Sequence, residues 1–285
     1  MASTYNNLYL DARRQLKAAG IPAAQLEARE IVCYAAGKDR EQFFRDLPLY
    51  ASDTVEQQVK ELTRRRLEGE PVAYIIGEWE FYGLTLDVSP EVLIPRMDTE
   101  VLAEQAILAA RSVEENCRVL DLCTGSGCVG LAVAANVPQC RVVLADLSEP
   151  ALKICKQNVR RNELNARVTC LSVNAMEPPA SSLWDFDVIA CNPPYIPTGD
   201  IAGLDGSVRD YEPHMALDGG EDGLAFYRRI TETAHNFLKK GGLLAFEIGY
   251  NQGESVRGLM QNDFYDTEVI KDLNENDRVV IGKLK

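Results

Sequence analysis

The chain has 285 residues, 46% hydrophobic and 26% charged, which is enough for one large domain or two with a buried core. Its net charge of −13 argues against a dedicated duplex-DNA binder, whose surface is basic, so we expect no stable binding of nucleic acid. The eight cysteines contain no C-x-x-C pair and only two histidines are present, so we predict neither a metal site nor a disulfide framework.

The N-terminal part of the chain, residues 1–72, predicts a small helical bundle. Apolar residues recur at helical spacing in four segments, which end at Gly or Pro or follow a capping residue: 5–19, 23–36, 40–47 and 54–67. Residues 1–14 are polar and charged, without the apolar stretch of a signal peptide, and no run is long enough for a membrane span. We therefore expect a cytoplasmic protein that does not bind membranes.

A change of apolar period marks the end of this bundle. Beginning with Tyr74-Ile75-Ile76, the sequence becomes strand-like, which predicts a β-hairpin linker over residues 73–95. Residues 96–285 then alternate strands with helices, and the last two strands have no helix between them. This order predicts an α/β domain with a mostly parallel sheet and a terminal antiparallel hairpin.

Two further predictions concern a helix–turn–strand unit and a long loop in the second half of the α/β domain. A helix over residues 224–238 is predicted to stop before a turn at Gly241-Gly242, and a strand is predicted to start at Leu243. The long segment 201–223 is rich in Gly and Asp, and we interpret it as a lid over the substrate.

The first strands of the α/β domain end in residues suited to a nucleotide-like cofactor. Strand 118–122 runs into a loop that contains Gly125 and Gly127, where the backbone can approach a ligand and helix N–H groups follow. The second strand ends at Asp146, nineteen residues beyond Gly127, where a carboxylate can accept hydrogen bonds from both ribose hydroxyls. The third strand leads into Asn174-Ala175, where we expect the adenine of the cofactor.

The fourth strand ends in Asn192-Pro193-Pro194-Tyr195, which we call the elbow. Each of the two prolines restricts the residue before it, so the elbow is held extended and cannot continue as a helix. The Asn192 side-chain oxygen and the Pro193 carbonyl can accept hydrogen bonds from both N–H groups of a planar nitrogen. The Tyr195 ring can pack on the plane that carries that nitrogen. No base is apparent beside Asn192, so we expect the nitrogen to lose its proton after it has reacted.

Three hypotheses account for these motifs. The run from Gly125 to Gly130 fits G-x-G-x-x-G, which is also typical of a nicotinamide-dependent (NAD) oxidoreductase, but that function leaves the elbow without a role. An inactive assembly subunit is a second alternative, and the intact elbow argues against it. A transferase that acts on a planar nitrogen uses the glycine loop, Asp146 and the elbow together.

The elbow resembles the Asn/Asp-Pro-Pro-Tyr/Phe motif of S-adenosylmethionine-dependent methyltransferases that modify adenine N6 in nucleic acids or a glutamine side chain in proteins. The chain as a whole resembles the bacterial release factor glutamine methyltransferase family, PrmC/HemK. The residues that carry this resemblance are 77–82, Leu93-Ile94-Pro95-Arg96, 98–100, 121–127, the elbow, Tyr211-Glu212-Pro213, Glu247 and 276–278.

The resemblance implies a Rossmann-like class I methyltransferase domain at 96–285, with residues 1–72 helping to hold a protein substrate. It implies methyl transfer to the glutamine of a Gly-Gly-Gln motif in class I peptide chain release factors, with adenine-N6 methylation of nucleic acid as the alternative. The cofactor-binding residues would be Cys123, Thr124, Gly125, Ser126, Gly127, Asp146, Asn174, Ala175 and Asn192. The substrate-binding residues would be Asn192, Pro193, Pro194 and Tyr195, with Asn192, Pro193 and Tyr195 acting in catalysis.

Two positions depart from the family pattern. Cys123 stands where the family has the first glycine of its cofactor loop, and Asn174 stands where an acid often faces the adenine. An asparagine can still accept a hydrogen bond from the adenine amino group, but without the help of a negative charge.

Overall fold

The structure is a computed structural model that describes residues 3–177 and 184–285. These residues form two compact units: an N-terminal unit of Met1–Glu78 with Asp205–Tyr211, and a sheet unit of Trp79–Leu204 with Glu212–Lys285. Met1 and Ala2, part of the N-terminal stretch considered above, lie outside the described residues. No helix of the described residues is long and apolar enough to cross a membrane.

The N-terminal unit is helical, as its sequence predicts. Its helices are α1 (Tyr5–Ala18), α2 (Ala24–Ala36), α3 (Arg40–Asp46), α4 (Asp53–Leu67) and α5 (Val72–Ile76). Thr4, Asp39 and Ser52 cap the N-termini of α1, α3 and α4 with their side chains. Arg66 of α4 donates to Glu27 of α2 at 2.6 Å, which links the two helices through largely buried side chains.

Helix α5 corrects the sequence prediction for Tyr74-Ile75-Ile76, which is helical rather than part of a strand. Pro71 occupies the N-cap position of α5 and Gly77 ends it with φ +84°. Val72, Tyr74 and Ile75 are buried, and α5 packs against α2 and α4. A short apolar run fits either a strand or a buried helix, and here the packing selects the helix.

The strands confirm the predicted α/β fold class. A hairpin of β1 (Glu78–Phe81) and β2 (Leu84–Asp87) precedes a seven-stranded sheet. The strands of that sheet are β3 (Arg118–Leu122), β4 (Arg141–Asp146), β5 (Val168–Ser172), β6 (Phe186–Cys191), β7 (Leu238–Glu247), β8 (Phe264–Lys271) and β9 (Asp277–Leu284). Their order is β5-β4-β3-β6-β7-β9-β8, and only the pairs that involve β9 are antiparallel.

Helices cover both faces of this sheet. The remaining helices are α6 (Glu100–Arg111), α7 (Cys128–Asn136), α8 (Glu149–Arg161), α9 (Gly206–Arg209), α10 (Ala225–Thr233) and α11 (Gly253–Met260). Apart from α9, which belongs to the N-terminal unit, they form two cores. Val119 of β3 packs with α6, α7 and α8, whereas its neighbour Leu120 packs with α10 and α11. This alternation explains why the parallel strands are almost wholly apolar.

Strand β7 corrects the predicted turn at Gly241-Gly242. Helix α10 ends at Thr233 and a 3₁₀ turn over Ala234–Asn236 follows, so the helix is shorter than predicted. Strand β7 starts at Leu238 and runs through both glycines. Its pairing with β6 shifts from Phe186–Leu238 to Val188–Leu243, so the glycines accommodate extra residues within an irregular strand.

Candidate active site

The carboxyl ends of the parallel strands open on one cleft in the sheet unit. Most of the sequence-predicted site residues line it: Cys123, Thr124, Gly125, Ser126, Asp146, Asn174, Ala175, Asn192 and Pro194. The cleft encloses about 1080 Å³ including its open mouth. Gly127, Pro193 and Tyr195 are not among the lining residues.

The glycines of the cofactor loop serve two different purposes. Gly125 has φ +54°, and a Cβ placed on it would meet nothing within 4 Å, so its backbone faces open space in the cleft. Gly127 has φ +89°, and a Cβ there would lie 3.0 Å from Cys155 Sγ. A Cβ on Gly130 would overlap Leu144 of β4. The last two glycines therefore allow α7 to pack closely on the sheet.

Cys123 occupies a backbone position that favours glycine. Its φ is +60°, which is costly for a residue with a Cβ. Its side chain lines the cleft and its thiol contacts the thiol of Cys191. Burial, followed by the contact with Cys123, raises the pKa of the Cys191 thiol well above its usual value.

Two carboxyl groups flank the glycine loop. Asp121 Oδ2 accepts from the Thr124 hydroxyl at 2.5 Å and from the Gly130 N–H at 2.8 Å, and burial raises its pKa to about 7. Asp146 accepts from the N–H groups of Gly125 at 2.8 Å and Ser148 at 2.9 Å. Burial also raises the pKa of Asp146. The local motif predicts no role for Asp121, although an acid inside an apolar strand signals a special site.

Asn174 lines the cleft with a side chain that is already engaged in its own loop. Its Oδ1 accepts from the Met176 N–H at 3.0 Å and its Nδ2 donates to Glu177 Oε1 at 2.9 Å. These bonds fix the orientation of the carboxamide and leave its oxygen with one further acceptor site. The adjacent Ala175 is buried.

The elbow is held by the segment that precedes α10. The Ile196 N–H donates to the Leu217 carbonyl at 3.0 Å, and the Gly219 N–H donates to the Ile196 carbonyl at 2.9 Å. Gln252 donates through Nε2 to the Tyr195 carbonyl at 3.0 Å. A Cβ on Gly219 would lie 2.7 Å from Tyr195 Cα, so only glycine permits this close approach.

The side chains of the elbow differ in exposure. Pro193 and Pro194 are buried, whereas Asn192 and Tyr195 are half-buried. Burial raises the pKa of Tyr195 to about 12, with the charge of Glu247 as the next cause, so its phenol stays neutral at physiological pH. Tyr195 packs against the same apolar core as Tyr227 and Phe246.

A buried carboxyl group lies beside Asn192, although no base is apparent there from the sequence. Glu247 ends β7 and is only 2% exposed. Burial raises its pKa to about 7, and contacts with the Thr99 hydroxyl and the Asn192 carboxamide, together with the charge of Arg278, lower it in part. Its Oε2 atom has no hydrogen-bond partner. The sequence signal for this residue is an acid that closes the apolar run 243–246.

Part of the predicted lid also borders the cleft. Arg96 pairs with Glu212, and the Ile94 N–H donates to Glu212 Oε2 at 3.2 Å. Arg96, Met215 and Ala216 all line the cleft. Movement of the 201–223 segment stays a prediction. Phe226 and Leu147, which also line the cleft, were not identified from the sequence.

The described residues contain no group of three or more His, Cys, Asp or Glu side chains placed to hold a metal ion. The polar groups that line the cleft are two carboxyl groups, the backbone around Gly125, and the carboxamides of Asn174 and Asn192, a set that suits an organic ligand. Asp146 and Gly125 lie side by side at the carboxyl ends of the parallel strands, joined by the hydrogen bond from the Gly125 N–H.

Comparisons with known proteins agree with this architecture. Residues 7–77 match a family model described as the PrmC N-terminal domain, and residues 85–202 match a methyltransferase small domain. In solved structures, the catalytic domain of hMettl16 in complex with the MAT2A 3'UTR hairpin 6 covers 79% of this chain and 82% of its own, with a TM-score of 0.57 and 15% identity. That likeness concerns the fold alone.

Curated relatives extend over nearly the whole chain. The release factor glutamine methyltransferase of Thermodesulfovibrio yellowstonii is 39% identical over 257 residues, covering 90% of this chain and 91% of the relative. The protein of the same name from Geobacter sulfurreducens is 40% identical over 275 residues, covering 95% and 94%. This chain belongs to the release factor glutamine methyltransferase family.

Proposed function

We propose that this chain transfers a methyl group from S-adenosylmethionine to the side-chain amide nitrogen of the glutamine in the Gly-Gly-Gln motif of class I release factors. The observation that carries the proposal is the Asn192-Pro193-Pro194-Tyr195 elbow at the edge of the cleft, in a chain of this family. Because this substrate is a translation factor, we expect the enzyme in the cytoplasm. The helical domain, residues 1–72, would help to hold the protein substrate.

The cleft has a donor and acceptor set that fits S-adenosylmethionine. The open space above Gly125 admits a ligand close to the backbone, and each oxygen of Asp146 keeps acceptor capacity for a ribose hydroxyl. The Asn174 oxygen has one acceptor site left for the adenine amino group. When bound, this cofactor supplies an electrophilic methyl group on a positively charged sulfur.

The position of Asp121 favours this cofactor over a nicotinamide dinucleotide. In dinucleotide-binding folds the pyrophosphate sits on the N–H groups at the start of the helix after the glycine loop. Here the Asp121 carboxyl accepts from the Gly130 N–H in the first turn of α7. A pyrophosphate at this place would meet a carboxyl group, whereas a positively charged sulfonium would not be repelled.

The elbow would bind and orient the glutamine amide. The Asn192 Oδ1 atom and the Pro193 carbonyl accept its two N–H groups, and the neutral Tyr195 ring packs on the amide plane. With both N–H groups held, the nitrogen lone pair points along the line of attack, and positioning supplies most of the rate. Pro194 lines the cleft beside Asn192 and keeps the elbow extended.

A labelled-methyl transfer assay tests this function. Purified enzyme and labelled S-adenosylmethionine are incubated with a bacterial release factor, with the same factor carrying Gln→Ala in its Gly-Gly-Gln motif, and with adenine-containing DNA. We expect label only on the intact release factor, located on the glutamine by mass spectrometry. Label on DNA adenine would replace the protein substrate with a nucleic acid, and label on neither substrate would contradict the proposal.

A further inference from the structure

Glu247 and Asn192 are neighbours because of strand register. Strands β6 and β7 are parallel, and Cys191 pairs with Phe246, so the next residue of each strand emerges at the same place on the sheet edge. Asn192 begins the elbow there, and Glu247 ends β7. The Glu247 carboxyl is 2% exposed and contacts the Asn192 carboxamide. A buried charged group of this kind requires an explanation, because burying a carboxylate is costly.

A carboxylate can only accept hydrogen bonds, and this restricts its neighbour. A carboxamide that contacts a carboxylate must present its NH₂ group, so its oxygen points elsewhere. We propose that Glu247 is a positioning residue that holds the Asn192 carboxamide with Nδ2 towards its carboxylate and Oδ1 free to accept a hydrogen bond from the substrate amide. This inference rests on the proposed function of Asn192.

The surroundings of Glu247 support its ionised form in this role. The Thr99 hydroxyl contacts the carboxyl, and the nearby Arg278 guanidinium lowers its pKa. Arg278 is itself held by Asp272 at 3.1 Å and Asp98 at 3.3 Å, each measured from Nη2 to Oδ2. The guanidinium of Arg278, fixed in this way, acts on Glu247 through its charge. Among the described residues, no direct ion pair joins the two side chains.

Tyr195, Tyr227 and Cys128 lie near Glu247 and stay neutral around pH 7, whereas Arg278 and Asp98 form an ion pair. The charge of Glu247 contributes to raising the pKa of Tyr195, Tyr227 and Cys128, after burial as the largest cause in each case. Asp98 pairs with Arg278, and its charge raises the pKa of Glu247. Glu247 is therefore the group beside Asn192 whose charge changes near neutral pH.

A pH dependence follows from the geometry. When Glu247 takes up a proton, with a pKa of about 7, its new O–H group can donate to Asn192 Oδ1 and occupy the acceptor that the substrate needs. Turnover should then fall as the pH drops through 7. Asp121, whose pKa is also raised to about 7, contacts the cofactor loop, so its titration should affect the dissociation constant of the cofactor instead.

The test compares the full-length wild-type enzyme with Glu247→Gln at saturating cofactor. Glutamine keeps the size of the side chain but can turn its NH₂ group towards Asn192, which permits the wrong orientation. We expect kcat at pH 8 to fall at least ~10-fold, and the acid limb near pH 7 to disappear, while the cofactor dissociation constant stays within about 2-fold. Glu247→Asp, which keeps an acceptor-only group, should recover part of the turnover.

A matched control is Thr231→Val in α10, which removes a buried hydroxyl that has no hydrogen-bond partner. It should leave kcat and its pH profile unchanged. Wild-type kcat with an unchanged acid limb in Glu247→Gln would overturn the proposal. So would equal losses of kcat in Glu247→Gln and Thr231→Val.

A second readout does not depend on activity. In ¹⁵N-labelled wild-type enzyme, the side-chain NH₂ resonances of Asn192, assigned by their loss in Asn192→Ala, should shift with a midpoint near pH 7. The shift should be absent in Glu247→Gln. Resonances that do not respond between pH 5.5 and 8.5 would overturn the inference even if the enzyme methylates release factors. A wild-type enzyme that shows the shift but does not methylate the glutamine would instead contradict the proposed function.

Discussion

Asn158 of α8 donates through Nδ2 to the Ser126 carbonyl at 2.9 Å and so anchors the cofactor loop to α8. The same side chain accepts from the Asp87 N–H at 2.6 Å and donates to the Asp87 carbonyl at 3.0 Å. One fully buried carboxamide therefore joins a helix, the end of the β1–β2 hairpin and the glycine loop. This arrangement gives the hairpin a structural role in shaping the cleft.

Asn158→Ala should lower the free energy of unfolding by about 2–3 kcal/mol, because the backbone of the half-buried Asp87 and the carbonyl of the buried Ser126 lose its carboxamide as a partner. Cofactor binding should weaken as the loop loosens. Urea unfolding and calorimetric titration measure the two effects. The control is Asn162→Ala at the C-cap of α8, because Asn162 is half-buried and donates to the Thr85 carbonyl at 3.2 Å. Equal losses of stability in both variants would contradict the prediction.

The backbone of Cys123 carries strain that a pair of variants can isolate. Both Cys123→Gly and Cys123→Ala remove the thiol that contacts Cys191, but only glycine adopts φ +60° without cost. We expect Cys123→Gly to be more stable to urea than Cys123→Ala by about 1 kcal/mol, after the entropic cost of glycine in the unfolded chain is included. A more stable alanine variant would show that the loop relaxes to a negative φ.

Gly223 leaves room for the elbow. It has φ +72°, and a Cβ there would overlap the Tyr195 carbonyl. Gly223→Ala should therefore cost about 2–4 kcal/mol of stability and reduce turnover by displacing Tyr195. Gly203→Ala is the control, because a Cβ at Gly203 would meet nothing within 4 Å. Thermal unfolding and the methyl-transfer assay test the pair, and wild-type turnover in Gly223→Ala would argue against a tightly held elbow.

Asn192→Ala should keep the fold and the cofactor affinity but lose at least ~10²-fold in kcat. The removed oxygen is an acceptor used chiefly in the transition state, and losing such a group costs roughly 3–4 kcal/mol by analogy with an oxyanion-hole donor. The matched change Asn262→Ala, at an exposed asparagine outside the cleft, should have no effect. Wild-type turnover in Asn192→Ala would remove Asn192 from the mechanism.

Much of the cleft could be predicted from the sequence because one rule places it. Parallel strands end at one edge of the sheet, so the glycine loop, Asp146, Asn174 and Asn192 had to meet there once their strands were identified. The rule needs only local patterns and the right-handed connections of such folds.

Contacts that depend on strand order could not be predicted in the same way. Glu247 reaches Asn192 because β7 lies next to β6 in register, a relationship between residues 55 positions apart. The structure of Tyr74-Ile75-Ile76 depended on burial against α2 and α4, which the local sequence does not contain. The glycines inside β7 signalled a turn, but they lie in an irregular part of the strand, where the pairing with β6 shifts from Leu238 to Leu243.

The buried carboxyl of Asp121 should make stability depend on pH. Its folded-state pKa, about 7, lies above the value near 3.9 of an unfolded chain, so the native state holds the proton more tightly. This contribution to stability is fully present below about pH 4 and is lost as the pH rises to about 7. Above that pH, the ionisation of Asp121 adds no further pH dependence to the free energy of unfolding. Asp121→Asn stays neutral, so the slope attributable to this group should disappear.

The measurement is the free energy of unfolding in urea at pH 4.5, 6 and 8. The difference between Asp121→Asn and wild type should shift in favour of the variant by about 2–4 kcal/mol from pH 4.5 to pH 8. Glu247, whose pKa is also raised to about 7, contributes the same slope to both proteins and cancels in the difference. Parallel curves would mean that Asp121 is ionised throughout this range, with Thr124 and Gly130 stabilising its charge.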